Sequence, residues 1–492
     1  MPVVVAIDQG TTGSTVLVFD RRGRVVGRAY REFTQHYPQP AWVEHDAEEI
    51  WRVTRRLLRQ ACKRAGVTGK DVAAIGITNQ RETTVVWDRH TGRPLHRAIV
   101  WQDRRTAEHC EHLRRFGVER MVRRKTGLLL DPYFSGTKLT WLLRNVRRLE
   151  ERARQGDVCF GTIDSWLLWN LTGGAVHATD ATNASRTLLY DIRHHRWDAD
   201  LCRTFEVPMA MLPEVRPPAS EFGYTTPDLL GTPVPITGMA GDQQAALFGQ
   251  GCVRKGFAKN TYGTGCFLLQ YTGDQMLISK HGLLTTVACD ARGQTGYALE
   301  GAVFIAGAAI QWLRDGLGLV RRAADSEVLA RSVDSSLGVY MVPAFVGLGA
   351  PYWDAAARGA VLGLTRGVTR AHLVRAALES LAYQTRDVAD AMIADAGRIR
   401  TLRVDGGASA NDFLMQFQAD LLGVTVERPR LIETTAMGAA FLAGLCAGVW
   451  RGQGELEQAR KIAKCFRPQL TRARRDALQR GWREAVARVR TA

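Results

Sequence analysis

The polar segment DQGTTGS at residues 8–14 follows an apolar run and carries groups suited to phosphate chemistry. Backbone N–H groups in such a Gly/Thr turn can face phosphate oxygens, and the hydroxyls of Thr11 and Thr12 add donors. Asp8, at the end of the run, can hold Mg²⁺, usually through water. A plain hairpin turn uses the same residue types, so both interpretations stay open. The segment matches neither the Walker A loop nor the G-x-G-x-x-G loop.

Two glycine-rich turns in the second half of the sequence resemble that first segment. The YGTG turn at residues 262–265 lies between two apolar runs, and VDGGASAN at residues 404–411 follows another. Two such turns facing each other can clamp a polyphosphate, and small residues let a bulky group such as adenosine approach the backbone. Each turn alone is equally well explained by conformation. Together the three turns favour a nucleotide site.

Two charged segments are candidates for a hydroxyl-bearing substrate. Asp242, in GDQQ at residues 241–244, can accept a hydroxyl proton for attack on phosphorus, or it can simply cap a helix. Arg81 and Glu82 follow the apolar residues 72–78, at a position where open α/β sheets place ligands. A guanidinium donor beside a carboxylate acceptor suits a polyol, whose hydroxyls both donate and accept. The alternative for that pair is a surface salt bridge.

Aromatic residues near these segments are weaker candidates. Trp101, Tyr133 and Phe267 each stand in or beside a polar stretch. Aromatic side chains more often belong to the core than to a ligand wall. We therefore keep them as secondary candidates.

The elements that must position these residues alternate between strands and helices, which predicts an α/β fold. A helix begins after Asp46, with Glu49 in a capping-box position, and the residues 436–450 predict a tightly packed helix. The strand–turn–strand pattern of the first residues restarts near residue 230. We place a domain boundary at about 250, giving domains 1–250 and 251–492. The predicted strands are 3–7, 15–20, 25–32, 72–78, 83–87, 234–237, 258–261, 267–271 and 402–405. The predicted helices are 46–66, 104–116, 136–145, 163–171, 242–248, 369–396, 410 onwards and 472–490.

Composition limits the function classes. The chain has 492 residues, 46% hydrophobic and 23% charged, which excludes a disordered, collagen-like or disulfide-scaffold protein. Its nine cysteines include no C-x-x-C pair, so we expect reduced thiols. The formal net charge of +17 fits solvated helix faces better than a nucleic-acid partner. We expect a cytoplasmic protein without membrane insertion, since the longest apolar run is too short to span a bilayer.

Taken in order, the segments resemble those of the glycerol kinases, a branch of the sugar-kinase family that shares the ATPase fold of actin and hexokinase. The resemblance runs from about Val4 to Trp450, and several segments, notably NQRET (79–83), are specific to the glycerol branch. The segments that carry it are DQGTT (8–12), WVEHD (42–46), ITNQRET (77–83), IVWQDRR (99–105), DPYFSGTK (131–138), NASRT (183–187), GDQQAALFG (241–249), KNTYGTGCF (259–267), GLGAPYWD (347–354) and RVDGG (403–407).

The resemblance implies a fold, a reaction and a set of site residues. The fold is α/β, with two actin-like (ribonuclease H-like) ATPase domains and a cleft between them. The reaction is ATP plus glycerol to sn-glycerol 3-phosphate plus ADP, the first step of glycerol catabolism, with Asp242 as the base and Asp8 associated with Mg²⁺. The positions matching glycerol contacts are Arg81, Glu82, Trp101, Tyr133, Asp242, Gln243 and Phe267. Those matching phosphate and nucleotide contacts are Thr11, Thr12, Gly13, Thr264, Gly307, Gln311, Gly407 and Asn411.

Two departures and two alternatives accompany the resemblance. Many family members carry a basic residue where this chain has Thr15, and the stretch 222–233 lacks both the arginine-bearing glycine loop and the phosphorylatable histidine of other members. Inhibition by fructose 1,6-bisphosphate and activation by loop phosphorylation are therefore expected to be absent or built differently.

The alternatives to this function are a kinase for another small polyol or ketose, and an actin-like ATPase without a small acceptor. We also expect a homodimer or homotetramer and no nucleic-acid partner.

Overall fold

A computed structural model describes residues 2–491, and its strands form two large mixed sheets. In the first sheet, three strands make an antiparallel meander, and two later strands continue the sheet parallel to the first strand. An antiparallel strand closes the other edge. The order across this sheet is Ala219–Tyr224, Pro235–Gly241, Val72–Asn79, Val3–Gln9, Gly13–Phe19 and Val25–Glu32.

The second sheet repeats this connectivity. It begins with an antiparallel hairpin joined to a third antiparallel strand, and two later strands run parallel to the first. Its order is Leu284–Cys289, Thr295–Val303, Cys266–Gly273, Phe257–Tyr262, Thr401–Asp405, Thr425–Pro429 and Ile462–Phe466. The repeated connectivity confirms the predicted α/β class. The restart expected near residue 230 is placed too early, because the strand Pro235–Gly241 belongs to the first sheet and the second hairpin begins at Phe257. The division at residue 250 stays a prediction.

Helices cover the faces of both sheets and fill their connections. The α-helices of the first half are Ala47–Ala65, Ala107–Arg115, Glu119–Thr126, Ser135–Asn145, Leu149–Gln155, Ile163–Leu171, Ala181–Ala184, Ala199–Thr204, Pro227–Leu230 and Asp242–Gly249. Those of the second half are Gly307–Asp315, Asp325–Arg331, Arg370–Ala396, Asp412–Leu422, Thr434–Cys446, Gln453–Arg460 and Arg472–Ala487. Short 3₁₀ turns are Gly69–Asp71, Met209–Met211 and Gly407–Ala410. Small additional sheets contain Gln35–His36, Glu44–His45, Val85–Asp88, Ala98–Ile99, Val158–Gly161, Ala178–Asp180, Tyr190–Asp191, Arg196–Trp197, Glu214–Arg216, Tyr340–Val342 and Ala360–Leu362.

The helix Ala47–Ala65 shows how closely local sequence sets an element. The carboxylate of Asp46 accepts the N–H groups of residues 48 and 49 and caps the helix, and Gly66 ends it at φ 67°. The predicted capping box is only half formed, because the Glu49 carboxylate accepts hydrogen bonds from the N–H and hydroxyl of Thr34 instead. The Glu49 side chain therefore ties the helix to the loop after the first meander.

The helix Thr434–Cys446 packs on the first sheet, although it belongs to the second half of the chain. Its small residues allow backbone to lie on backbone: a Cβ on Gly438 would lie 1.8 Å from the carbonyl oxygen of Ala245, and one on Gly76 would lie 2.1 Å from that of Ala439. The predicted tight packing of this segment is confirmed. Between residues 2 and 491, no helix is long and apolar enough to cross a membrane.

A few predicted boundaries are wrong. The strand expected at 83–87 is Val85–Asp88, because the backbone at Glu82 turns through a left-handed conformation before it. The helix expected at 104–116 begins at Ala107, after a pair of turns. The nine cysteines are unpaired, and seven of them are buried.

Candidate active site

The carboxyl ends of three parallel strands bring the first set of candidates to one edge of the first sheet. The register places Asp8 beside Thr78, and Thr78 beside Ala240. The segments that follow these positions contain Arg81 and Asp242. Open α/β sheets place ligands at this edge, because the loops that leave adjacent parallel strands converge there.

Arg81 is the centre of the site. Its guanidinium Nε lies 3.3 Å from Oδ1 of Asp242, Nη2 donates to the Tyr133 hydroxyl over 3.4 Å, and Nη1 donates to Oε1 of Gln244 over 3.1 Å. Arg81 and Glu82 are 2% and 1% exposed, so the surface salt bridge considered from the sequence is wrong. The helix cap next to Asp242 is Gly241, which leaves the Asp242 carboxylate at the first helical position, where it is partly exposed.

The backbone of Glu82 is held in a strained conformation. Its φ is 61°, a left-handed value that costs a non-glycine residue about 1–3 kcal/mol. Three donors converge on its carbonyl oxygen: the hydroxyls of Thr84 and Ser135, at 3.1 and 3.0 Å, and Nζ of Lys138, at 3.3 Å. Lys138 also donates to the carbonyl of Tyr133 over 2.7 Å. These bonds hold Glu82 and Tyr133 in fixed positions beside Arg81.

Two charged residues of the site were not predicted from the sequence. Glu300 receives two hydrogen bonds from Arg81, of 2.7 and 2.9 Å, and one of 3.0 Å from Arg186. Arg186 donates in turn to Oε1 of Glu82 over 2.6 Å. Burial opposes ionisation of Glu300, but Arg186 and Arg81 lower its pKa to about 2. Glu300 is a single charged residue in the apolar run YALEGAV (297–303), and that was the available signal.

Trp101 and Tyr133 form an aromatic pair beside Arg81. Their rings meet edge to face, with centroids 5.5 Å apart. The indole Nε1 of Trp101 donates to the hydroxyl of Thr11 over 2.9 Å. Phe267 lies instead on the second sheet, half-buried against the apolar cluster that contains Leu247 and Leu269. The structure thus brings two of the three aromatic candidates together.

Asp8 faces other carboxylates. Its pKa is raised to about 7 by burial and by the negative charges of Asp242 and Glu433. Thr15 lies directly opposite Asp8 in the hairpin and brings no positive charge to it. A divalent cation would stabilise the ionised form of such a carboxylate. Residues 2–491 contain no group of three or more metal-ligating side chains.

A buried network fixes the turn that follows Asp8. Nε2 of Gln80 donates to Oε1 of Gln9 over 3.1 Å and lies 3.3 Å from Nδ1 of His45. Nε2 of His45 meets Oε1 of Gln35 at 2.7 Å, and Gln35 donates to the Thr11 carbonyl over 3.1 Å. Burial, helped by His36, lowers the pKa of His45 to about 3, so its imidazole is neutral. Thr12 and the buried Gly13 complete this turn.

The second sheet carries its own turn at Thr264, which is exposed. The helix Gly307–Asp315 starts directly on it: the N–H of Gly307 donates to the Gly263 carbonyl over 3.0 Å, and a Cβ on Gly307 would lie 2.6 Å from that oxygen. Gln311 is exposed one turn further along the helix. These candidates therefore lie together at one end of the second sheet.

The third glycine-rich turn lies beside the second. Gly406, at φ 83°, packs on the backbone of Tyr262, and Gly407 is exposed with open space where its Cβ would be. Asn411 accepts the N–H of Leu414 over 2.9 Å and caps the helix Asp412–Leu422. A structural role for Asn411 is thus observed.

Lys259 is a further residue that sequence reasoning missed. Its Nζ donates to Oε1 of Gln243 and, over 2.9 Å, to the hydroxyl of Thr261. The side chain is buried, which lowers its pKa, while Asp405 and Asp242 oppose that effect. Lys259 places a positive charge beside the Asp242–Gln243 corner.

Comparison with known proteins decides the family. The model of the FGGY family of carbohydrate kinases, N-terminal domain, matches residues 3–249, and the model of its C-terminal domain matches residues 258–447. The chain belongs to the FGGY family of carbohydrate kinases. This FGGY kinase is 60% identical to glycerol kinase 2 of Pseudomonas aeruginosa, over 99% of this chain and 97% of that protein. It is 58% identical to glycerol kinase of Carboxydothermus hydrogenoformans, over 99% and 98%.

Solved structures give the same result for the fold of this FGGY kinase. Glycerol kinase of Plasmodium falciparum, solved with ADP, superimposes with a TM-score of 0.93 at 36% identity, covering 99% of this chain and 98% of that one. Xylulose kinase of Rhodospirillum rubrum, 23% identical, superimposes with a TM-score of 0.86 over 99% and 98% of the two chains and shares the fold. The predicted two-domain actin-like ATPase fold is confirmed.

Proposed function

We propose that this FGGY kinase transfers the γ-phosphoryl group of ATP to a terminal hydroxyl of glycerol, which gives sn-glycerol 3-phosphate and ADP. The observation that carries the proposal is the convergence of Glu82, Tyr133 and Asp242 on the buried guanidinium of Arg81. Relatives that match nearly their whole length and are named glycerol kinase support the same acceptor.

Asp242 is proposed as the general base. Its carboxylate takes the proton of the attacking hydroxyl as the oxygen forms a bond to the γ-phosphorus and the bond to the ADP oxygen breaks in line. Phosphoryl transfer passes through a loose transition state, so orientation of the hydroxyl contributes more than base strength. The nearby guanidinium of Arg81, 3.3 Å away, fixes the orientation of that carboxylate.

The pocket around Arg81 is proposed to bind the three hydroxyls of glycerol through hydrogen bonds. Arg81 donates, Glu82 accepts, and Tyr133 and Gln243 can do both. Trp101 covers the carbon backbone, and Phe267 is proposed to close the opposite side from the second sheet. Buried polar groups left without partners reject a substrate that lacks one hydroxyl, which is the basis of selectivity in such a pocket.

The nucleotide is proposed to bind between the glycine-rich turns. Its phosphates contact Thr11, Thr12 and Gly13 on one side and Thr264 on the other, and its nucleoside part contacts Gly307, Gln311, Gly407 and Asn411. Asp8 would hold Mg²⁺, since its carboxylate is crowded by Asp242 and Glu433. When bound, the ion neutralises charge on the phosphates.

Two expectations from the sequence accompany the proposal. A cytoplasmic location and a homodimer or homotetramer fit such an enzyme. Light scattering coupled to size-exclusion chromatography measures the mass of the assembly, and a mass of one 54.4 kDa chain would contradict the oligomer.

ADP release from MgATP tests the reaction. Initial rates are measured with no acceptor and with glycerol, xylulose, erythritol or dihydroxyacetone. We expect strong stimulation by glycerol above the other acceptors. Higher turnover with xylulose or erythritol would move the assignment to another polyol or ketose, and turnover indifferent to all four would favour an ATPase without a small acceptor.

A further inference from the structure

Arg81 depends on a residue of the opposite sheet for its orientation. Glu300 lies on the strand Thr295–Val303 of the second sheet, whereas Arg81 follows the strand Val72–Asn79 of the first. Both carboxylate oxygens of Glu300 accept from the two terminal nitrogens of Arg81, at 2.7 and 2.9 Å. This two-bond geometry fixes the plane of a guanidinium as well as its position.

The pair belongs to a buried set of four charges. Arg186 bonds Glu300 and Glu82, and Glu82 lies 3.7 Å from Nε of Arg81. The four side chains are at most 1% exposed. Two positive and two negative charges balance, as burial requires, because an unpaired charge in such a place strongly destabilises a protein.

Loss of Glu300 would leave Arg81 with different partners. Its nearest remaining carboxylates are those of Asp242, at 3.3 Å, and Glu82, at 3.7 Å. A guanidinium released from Glu300 would turn toward these two groups, which the acceptor hydroxyls need as their own partners. Glu300 therefore keeps the hydrogen-bonding groups of the pocket available.

We propose that Glu300 is a positioning residue for the acceptor pocket: from the second sheet it orients Arg81, so that the pocket is complete only when the two sheets are in contact. This inference rests on the proposed function. It assigns Glu300 no contact with the substrate, and Arg186 serves the same set by holding Glu300 and Glu82 together.

The test compares Michaelis constants in the full-length Glu300→Gln enzyme. Glutamine keeps the shape but loses the charge, so we expect the KM for glycerol to rise about tenfold or more, the scale of a lost charge-assisted bond, and the KM for MgATP to change less than about twofold. The matched control is Glu379→Gln. Glu379 is also buried and paired, with Arg375, on the helix Arg370–Ala396. An unchanged KM for glycerol, or an equal rise in both constants, would overturn the inference.

A second comparison separates positioning from general damage. In an Arg81→Lys background, lysine cannot make the two parallel bonds. Adding Glu300→Gln should then change the KM for glycerol less than about twofold, because both changes remove the same interaction. If the fold-changes in the KM for glycerol caused by the two substitutions multiply in the double variant, Glu300 acts independently of Arg81. Thermal melting reports folding, and if the glutamine variant is unfolded, Glu300→Asp is subjected to the same comparison.

These outcomes are distinguishable from failure of the proposed function. If glycerol does not stimulate ADP release by the wild-type enzyme, the proposed function itself is overturned. Wild-type release that depends on glycerol, together with an unaltered Glu300→Gln variant, overturns only the role of Glu300.

Discussion

The indole N–H of Trp101 donates to the hydroxyl of Thr11 over 2.9 Å, and this bond joins two parts of the site with different proposed ligands. Trp101 lies against Tyr133 in the proposed acceptor pocket, and Thr11 belongs to the first of the proposed phosphate turns. The two parts of the site therefore share a direct hydrogen bond.

Trp101→Phe should weaken the binding of both substrates. The variant keeps an aromatic face but loses one hydrogen bond, worth about 1 kcal/mol. We expect the KM for glycerol and the KM for MgATP each to rise about three- to tenfold. Trp51→Phe, on the helix Ala47–Ala65, is the control and should leave both unchanged. A rise confined to glycerol would contradict the link through Thr11.

Asp242→Asn should remove the base while keeping the shape of the pocket. We expect kcat to fall at least about 100-fold, the scale of a positioned acid–base group, with a much smaller change in the KM for glycerol. Asp228→Asn, at an exposed carboxylate that pairs with Arg55, is the control. Near-normal turnover by the Asp242 variant would remove this residue from the catalytic role.

Asp8→Asn should make the free enzyme more stable while abolishing activity. The pKa of Asp8 is about 7 in the folded chain and near 4 when unfolded, so its ionisation costs stability that grows as the pH rises from about 4 to 7. The gain in Tm, measured by calorimetry without Mg²⁺ or nucleotide, should thus be larger at pH 8 than at pH 5. A gain that is equal at both pH values would contradict this account.

Asp20→Asn is a control in which the expected change in Tm has the opposite sign. Partial burial raises the pKa of Asp20, but hydrogen bonds from Arg24 and Arg22 outweigh this effect and lower it. Its ionised form therefore stabilises the fold at neutral pH, and this contribution is lost as the pH falls through the folded pKa. We expect a lower Tm at pH 8 in this variant and a smaller loss near pH 3.

Gly438→Ala should destabilise the fold, because its Cβ would lie 1.8 Å from the carbonyl of Ala245. Overpacking of this kind costs about 1–3 kcal/mol or more in the free energy of unfolding. Gly454 lies in the helix Gln453–Arg460 with open space around its Cβ position, so Gly454→Ala should be neutral or stabilising. Denaturant titration of both variants measures the difference, and equal midpoints would refute the packing argument.

Much of the site could be predicted because its residues follow strands. Apolar runs before Asp8, Arg81 and Asp242 predicted the strand ends, and parallel pairing brought them to one edge. The Asp46 cap was equally local, since a short side chain bonds the next N–H groups. Sequence patterns were sufficient for these contacts but not for the Glu49 half of the capping box, because Thr34 takes that carboxylate.

The remaining features depend on contacts that local patterns do not encode. Glu300 is 219 positions from Arg81, and only the approach of the two sheets pairs them. The left-handed turn at Glu82 depends on donors from Ser135 and Lys138, which lie on the helix Ser135–Asn145. Likewise, nothing in the small-residue helix Thr434–Cys446 indicated which sheet it would cover.

The packing of that helix has a consequence for synthesis of the chain on the ribosome. The sheet face that contains Val4, Phe19 and Ala74 is covered by residues that are made almost 200 positions after the helix Asp242–Gly249. At a synthesis rate of about 5–20 residues per second, this face stays uncovered for roughly 10–40 s. A nascent chain of the first half therefore carries an open apolar surface, and newly made protein should need chaperone protection during that interval.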